Sequence, residues 1–110
     1  VMYVNISDST NPRIMAYDIN EKIVKNARIF FDGRKLAEKY DGSFDGIKIH
    51  PDGTIFSTGP GGVLIIGEDG THLGTIKTEE RTANCTFDSN YQYLYMTSDM
   101  YLTRVKLKTN

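Results

Sequence analysis

The sequence has a single cysteine, no long apolar run and no excess of basic charge, and each shortage narrows the class of protein. One cysteine among 110 residues excludes an internal disulfide framework and is typical of a reducing compartment. The longest apolar run covers residues 63–66, far below the roughly 20 residues that span a bilayer, so we expect no membrane partner. The 13 basic and 14 acidic side chains give a net charge of −1, so we expect no nucleic-acid partner.

The amino terminus has no charged segment followed by an apolar one, so the sequence contains no recognisable signal peptide. Together with the single cysteine, this favours the cytoplasm. A periplasmic or secreted location stays open, because Val1 lies inside an apparent strand and the chain would then begin partway through a longer protein. Charged residues at 25% and hydrophobic residues at 39% are ordinary for one modest globular domain.

Short β runs separated by turn residues dominate the chain, a pattern typical of all-β domains. The triplets Pro51-Asp52-Gly53 and Glu68-Asp69-Gly70 mark tight turns, since glycine supplies the positive φ that such turns need. Only residues 34–40 have a helical pattern, for one or two turns. The predicted strands are residues 2–6, 13–18, 27–31, 46–50, 54–58, 62–67, 72–77, 84–87, 93–97 and 101–108.

These strands repeat along the chain. Residues 46–49 align with residues 84–87 at an offset of 38, and residues 55–58 align with residues 94–97 at an offset of 39. The first strand of the chain repeats the second strand of the complete unit. A four-stranded unit of roughly 40–50 residues is typical of a β-propeller blade.

The repeat predicts an all-β chain that covers about two and a half blades of a β-propeller. The blade segments are residues 1–33, 44–79 and 82–108, and they lack an innermost strand at the front and an outermost strand at the back. Propellers have about 4–8 blades, and open strand edges and bare apolar faces associate. We therefore expect the C-terminal part of a longer propeller or a piece that assembles with copies of itself. A small freestanding β-sandwich is the structural alternative.

Asp45 is the first candidate for chemistry. It belongs to one of five Asp-Gly pairs, most of which read as turns and whose aspartates are Asp32, Asp41, Asp45, Asp52 and Asp69. The turn after its strand is already made by residues 51–53, so Asp45 lies where an innermost propeller strand begins, at the end that opens on the central channel. A carboxylate there can bind a hard cation such as Ca²⁺ or act as a general base. A turn role is the alternative.

Four further features of the sequence have two readings each. Asn84 heads an inner strand, so its amide either faces the channel near Asp45 or caps the local backbone. Asp8 and Asp99 follow second strands at matching places and either line the channel mouth or take solvated turn roles. Residues 58–62 form a glycine-rich turn whose N–H groups either cradle an anion or belong to a bulged turn.

Several short motifs, weak one at a time and specific in combination, extend over essentially the whole chain. They are Asn11-Pro12 with Met15-Ala16-Tyr17, then Phe44-Asp45-Gly46, Pro51-Asp52-Gly53 and residues 58–63, 70–76 and 82–87. In this combination the chain resembles the C-terminal half of a gluconolactonase. That family comprises the calcium-dependent lactonases that include senescence marker protein-30 (regucalcin).

The resemblance implies a six-bladed propeller with one divalent metal in its central channel, Ca²⁺ first and Zn²⁺ or Mg²⁺ as alternatives. The family holds this metal with a glutamate near the N-terminus, two asparagines from middle blades and the aspartate of an Asp-Gly motif. Asp45 matches that aspartate, which serves the family as metal ligand and as proton-transfer residue. The glutamate has no counterpart here, and the second asparagine would precede Val1. Because the family closes its ring with an N-terminal strand added to the last blade, we expect the C-terminus to be complete.

The sequence therefore predicts a metal-dependent hydrolase of a sugar lactone such as glucono-1,5-lactone, with Asp45 in both the catalytic and the metal-binding role. The expected partners are the sugar lactone and either the missing N-terminal part of the propeller or copies of the same chain. The competing hypothesis is a non-catalytic β-propeller fragment that serves as a scaffold or self-association module, because only Asp45 among the family's ligands is present.

Overall fold

A computed structural model describes residues 1–108 of the chain, and its regular secondary structure is almost wholly antiparallel strand. Its single helix, α1 (Arg34–Lys39), separates the third strand from the fourth. The strands are β1 (Met2–Ile6), β2 (Arg13–Asn20), β3 (Ile23–Asp32), β4 (Ile47–Ile49), β5 (Ile55–Gly59), β6 (Gly62–Ile66), β7 (His72–Lys77), β8 (Thr82–Phe87), β9 (Tyr93–Ser98) and β10 (Tyr101–Lys106). The predicted all-β fold class is confirmed.

The strands form three antiparallel sheets that follow chain order. The first sheet has the order β1-β2-β3, the central sheet β4-β5-β6-β7 and the last sheet β8-β9-β10. A four-stranded meander flanked by two further meanders is the layout of consecutive propeller blades. The chain is thus part of a β-propeller, with one four-stranded blade between two three-stranded ones.

The two middle strands of the central blade are buried on both faces because a neighbouring blade packs against each face. Every residue of β5 is buried, and so is all of β6 except Ile65. Burial on both faces explains why β6, with the sequence Gly-Val-Leu-Ile-Ile, is a nearly continuous apolar run without alternation. The core facing the first blade contains Ile14, Phe44, Ile55, Leu64 and Ile66. The core facing the last blade contains Phe56, Val63, Cys85, Leu94 and Met96.

The first blade has a longer hairpin than the sequence predicts. We expected strands at residues 13–18 and 27–31, whereas β2 continues to Asn20 and β3 begins at Ile23. The turn between them places Glu21 at a φ of 54°, a left-handed conformation that usually calls for glycine or asparagine. Residues 23–29 are all exposed, so this part of the hairpin lacks the apolar alternation by which strands are recognised.

Smaller differences concern the ends of elements. The prediction began the eighth strand at Asn84 and ended the last strand at residue 108, but β8 begins at Thr82 and β10 ends at Lys106. The register of β8 shifts between Thr82 and Asn84, and such an irregularity leaves no mark in residue type. No helix within residues 1–108 is long and apolar enough to cross a membrane.

Candidate functional site

Asp45 lies in the link between α1 and β4, immediately before the inner strand of the central blade. Its neighbour Phe44 is only 1% exposed and packs edge-to-face on Phe31 of the first blade, with ring centroids 6.3 Å apart. Asp45 itself is exposed. A buried aromatic side chain therefore anchors the main chain while the next side chain remains open to solvent.

Gly46 brings the inner strands of the central and last blades together. Its N–H donates to the carbonyl of Ala83 at 3.0 Å and to Thr58 Oγ1 at 2.9 Å. A Cβ at Gly46 would collide with Asn84 Oδ1 and lie 2.7 Å from Asn84 Cα, so only glycine allows this approach. Asp45 and Asn84 consequently lie at the same end of two adjacent inner strands.

Asn5 reaches the same segment from the first blade. Its Nδ2 donates to the main-chain carbonyl of Asp45 at 2.8 Å and to Ser57 Oγ at 2.9 Å. We did not identify Asn5 as a candidate from the sequence. The available signal was an asparagine inside β1, between Val4 and Ile6, because asparagine is depleted in strands.

The carboxylate of Asp45 differs from those of three of the other four Asp-Gly pairs. Asp32, Asp52 and Asp69 each accept a hydrogen bond from the N–H two residues further on, which caps their own turns. The Arg34 side chain also donates to Asp32 and lowers the pKa of that carboxyl to about 2. Within residues 1–108, no hydrogen bond engages the carboxylate of Asp45. Its oxygens are therefore open to a cation or a substrate.

Asn84 makes a local contact. Its Oδ1 accepts a hydrogen bond from the N–H of Cys85 at 2.9 Å, as in the backbone-capping alternative. The side chain also lines a cavity of about 340 Å³, together with Lys48, Thr86 and Tyr95. Its role at the channel stays a prediction.

Asp99 lines a second cavity, of about 480 Å³, with Tyr40, Lys77 and Arg81. Its N–H donates to the carbonyl of Arg81 at 2.9 Å, which ties the β9–β10 turn to the link between β7 and β8. Lys77 Nζ lies 5.5 Å from the ring centroid of Tyr40 in a cation–π contact. The position of Asp99 beside a polar cavity is consistent with either reading of this residue.

Asp8 takes part in a solvated turn. Its Oδ1 accepts hydrogen bonds from Thr10 N at 2.9 Å and from Thr10 Oγ1 at 2.8 Å. The hydrogen bond from the Thr10 backbone is the main reason why the pKa of the exposed Asp8 carboxyl lies below its usual value. This carboxylate is occupied by its own turn.

The glycine-rich turn at residues 58–62 is a hairpin whose donors are largely used. Thr58 N donates to the Gly46 carbonyl, and Gly61 N donates to the Asp41 carbonyl, each at 2.9 Å. The ends of the turn pair with each other, Gly59 opposite Gly62. These contacts favour the turn reading over an anion cradle.

Cys85 is buried between the central and last blades, with 3% of its surface exposed. Burial raises the pKa of its thiol to about 11. The thiolate is the reactive form of cysteine, so Cys85 has the properties of a packing residue and not of a nucleophile.

The donor set near Asp45 fits one part of a metal site. An exposed carboxylate on a well-anchored main chain suits a hard cation such as Ca²⁺. Within residues 1–108, however, no group of three or more histidine, cysteine, aspartate or glutamate side chains is placed to hold a metal. Asp45 fits as a single ligand, and the residues described do not complete the set.

Comparison with known proteins identifies relatives of the chain over nearly its full length. The sequence profile of the SMP-30/gluconolactonase/LRE-like region matches residues 1–100. A gluconolactonase from Zymomonas mobilis subsp. mobilis is 30% identical, over 98% of this chain and 32% of its own length.

Solved structures agree in fold. A gluconolactonase from Xanthomonas campestris superimposes with a TM-score of 0.82 and 28% identity, over 96% of this chain and 33% of its own. A luciferin-regenerating enzyme superimposes with a TM-score of 0.70 and 24% identity, over 88% of this chain and 33% of its own. The chain thus spans about a third of the length of these relatives. By sequence profile, curated relative and fold, the chain belongs to the SMP-30/gluconolactonase/LRE-like family.

Proposed function

We propose that this protein is a metal-dependent hydrolase of sugar lactones, such as glucono-1,5-lactone, and that Asp45 is both a metal ligand and the proton-transfer residue. The observation that carries the proposal is the exposed carboxylate of Asp45, which lies at the head of an inner strand and makes no hydrogen bond within residues 1–108. Membership of a family with gluconolactonase relatives supports a lactone as the substrate.

Lactone hydrolysis requires a proton to move from water to the ring oxygen. The oxygen of water attacks the carbonyl carbon, the bond between that carbon and the ring oxygen breaks, and the product is an open-chain hydroxy acid. Asp45 would accept the proton of the attacking water and return it to the departing ring oxygen. An exposed carboxylate is suited to this role because water and substrate can reach it.

The proposed cofactor is one divalent cation. Asp45 would hold it through carboxylate oxygen, the ligand type that Ca²⁺ prefers, with Zn²⁺ or Mg²⁺ as alternatives. When bound, the cation would polarise the lactone carbonyl as a Lewis acid. The chain's own contribution is to fix the main chain on both sides of Asp45 through Phe44 and Gly46.

The test is lactone turnover by the protein and by Asp45→Asn. We expect Ca²⁺-dependent hydrolysis of glucono-1,5-lactone, followed as acid release in a pH-stat, with at least a hundredfold lower kcat in Asp45→Asn. Asp69→Asn is the control, because it changes the carboxylate of another Asp-Gly pair, at the β6–β7 turn, and should leave turnover within about twofold. Equal turnover by the protein and Asp45→Asn would exclude Asp45 as the proton-transfer residue.

A second candidate function is a non-catalytic scaffold or self-association module. The observation that favours it is the apolar surface on the flanking blades, where Met100 is 80%, Leu102 74% and Ile29 60% exposed. Apolar patches and open strand edges bind other chains. Hydrolysis no faster than the spontaneous rate, together with a concentration-dependent solution mass, would favour this function over the lactonase.

A further inference from the structure

The least explained polar group within residues 1–108 is the side-chain amide of Asn5. One end of it is fully engaged, because Nδ2 donates to the Asp45 carbonyl at 2.8 Å and to Ser57 Oγ at 2.9 Å, with a longer contact of 3.4 Å to the Gly46 carbonyl. Main-chain carbonyls only accept hydrogen bonds. The nitrogen of the amide must therefore face Asp45 and Gly46, and chemistry fixes the orientation of the group.

The other end of the amide has no partner. Asn5 Oδ1 is buried, and within residues 1–108 it accepts no hydrogen bond. A buried acceptor without a donor costs free energy, and asparagine is itself unfavourable inside a strand. The stability of β1 therefore does not explain an asparagine at this position. The hydrogen bonds of Asn5 with the segment that carries Asp45 explain why an asparagine stands here.

The Asp45 segment is held from two blades. On one side, Asn5 of the first blade binds the carbonyl of Asp45. On the other side, the carbonyl of Ala83 in the last blade binds the N–H of Gly46. The peptide between Asp45 and Gly46 is thus held at its oxygen by one neighbouring blade and at its nitrogen by the other.

We propose that Asn5 is a positioning residue for Asp45. The inference rests on the proposed function, which gives the carboxylate of Asp45 its task. Nδ2 restrains the peptide that follows Cα of Asp45, and this peptide sets the direction in which the carboxylate leaves the backbone. Without that bond, water can take over the exposed carbonyl, the peptide gains rotational freedom and the carboxylate spends less time in its binding position. Partners of metal ligands typically contribute 10–100-fold to metal affinity or activity.

The decisive variant is Asn5→Leu, which removes both the donor and the unsatisfied acceptor at nearly constant size. Ser57→Ala is the matched control, because it removes the other partner of Nδ2 and leaves the bond to Asp45 in place. The readout that needs no ligand is the ¹⁵N order parameter of the Asp45 and Gly46 amides. We expect it to fall from about 0.85 to below about 0.6 in Asn5→Leu and to be unchanged in Ser57→Ala.

The functional readouts are the Kd for Ca²⁺, measured by competition with Tb³⁺ luminescence, and the kcat for glucono-1,5-lactone. We expect Asn5→Leu to raise the Kd at least tenfold and to lower kcat by a similar factor, while Ser57→Ala changes each by less than about twofold. If Asn5→Leu does not fold, Asn5→Ser takes its place, since its side chain keeps polarity but is too short to reach the Asp45 carbonyl.

Two results would overturn the inference. The first is an unchanged order parameter at Asp45 and Gly46 in Asn5→Leu. The second is unchanged Ca²⁺ affinity and kcat in Asn5→Leu while Asp45→Ala loses both, which would leave the proposed function standing without a role for Asn5. If Asp45→Ala itself binds Ca²⁺ and turns over lactone as the unmodified protein does, the proposed function fails. A positioning role for Asn5 then fails with it.

Discussion

Within the pair Asp45-Gly46, the two residues have separate roles. Asp45 offers a carboxylate without a protein partner in the described chain, whereas Gly46 lets two inner strands approach each other. The sequence contains five Asp-Gly pairs, and nothing in their residue types distinguishes a turn from a site. Position within the strand repeat is the reason why we predict a site at Asp45, and hydrogen bonds of Asp32, Asp52 and Asp69 agree with a turn role for those three residues.

The contact between Asn5 and Asp45 could not be predicted from the sequence. It lies 40 positions before Asp45 in the chain, and the contact exists only because the first blade packs against the central one. Spacing and composition do not encode such a pair. The one signal in the sequence was an asparagine inside an otherwise typical strand, which indicates that a polar side chain is needed at this position.

We predict that Gly46→Ala destabilises the fold by about 1–3 kcal/mol, because the added Cβ meets the main chain of Asn84 and one blade must move. Gly74→Ala is the control, because a Cβ at this position has no neighbour within 4 Å. The unfolding free energy of this variant should be unchanged or slightly raised. Urea unfolding measures both. Equal stability of the two variants would mean that the inner strands do not need their close approach at Gly46.

At the scale of secondary-structure elements, the order and type of the strands could be predicted because most runs are bounded by glycine, proline or aspartate. The outer part of the β2–β3 hairpin could not be predicted. Its residues are exposed and partly charged, and its turn uses Glu21 at a positive φ in place of glycine. Main-chain pairing and the exposed contacts of Asp18 with Asn26 and Arg28 hold this hairpin together, and neither produces a pattern of apolar side chains in the sequence.

The link from α1 to β4 depends on Phe44, which fills the core between the first and central blades. We predict that Phe44→Ala costs about 3–5 kcal/mol of unfolding free energy, since it empties a site that is 1% exposed. Tyr101→Ala, at a side chain that is 55% exposed, should change stability by no more than about 0.5 kcal/mol. Chemical denaturation compares the two. A loss below about 1 kcal/mol in Phe44→Ala would contradict its role as the anchor of the Asp45 link.

At the scale of the whole molecule, blade packing brings the candidate site together. The Asp45 segment makes hydrogen bonds with the first blade through Asn5 and with the last blade through Ala83. The chain spans about a third of the length of its gluconolactonase relatives, and Asp45 is the one metal ligand that we propose within it. The blade architecture followed from the repeat, whereas the packing of blades around Asp45 required the structure.

The most direct measurement is the thermal unfolding midpoint with and without Ca²⁺, for the protein and for Asp45→Ala. A ligand that binds only the folded state at about 100 times its Kd adds roughly 2.7 kcal/mol, which corresponds to a rise of about 10 °C for a chain of this size. We predict this rise in the protein and its loss in Asp45→Ala. The same rise in both proteins would contradict a metal-binding role for Asp45, and no rise in either would contradict a working metal site in this chain.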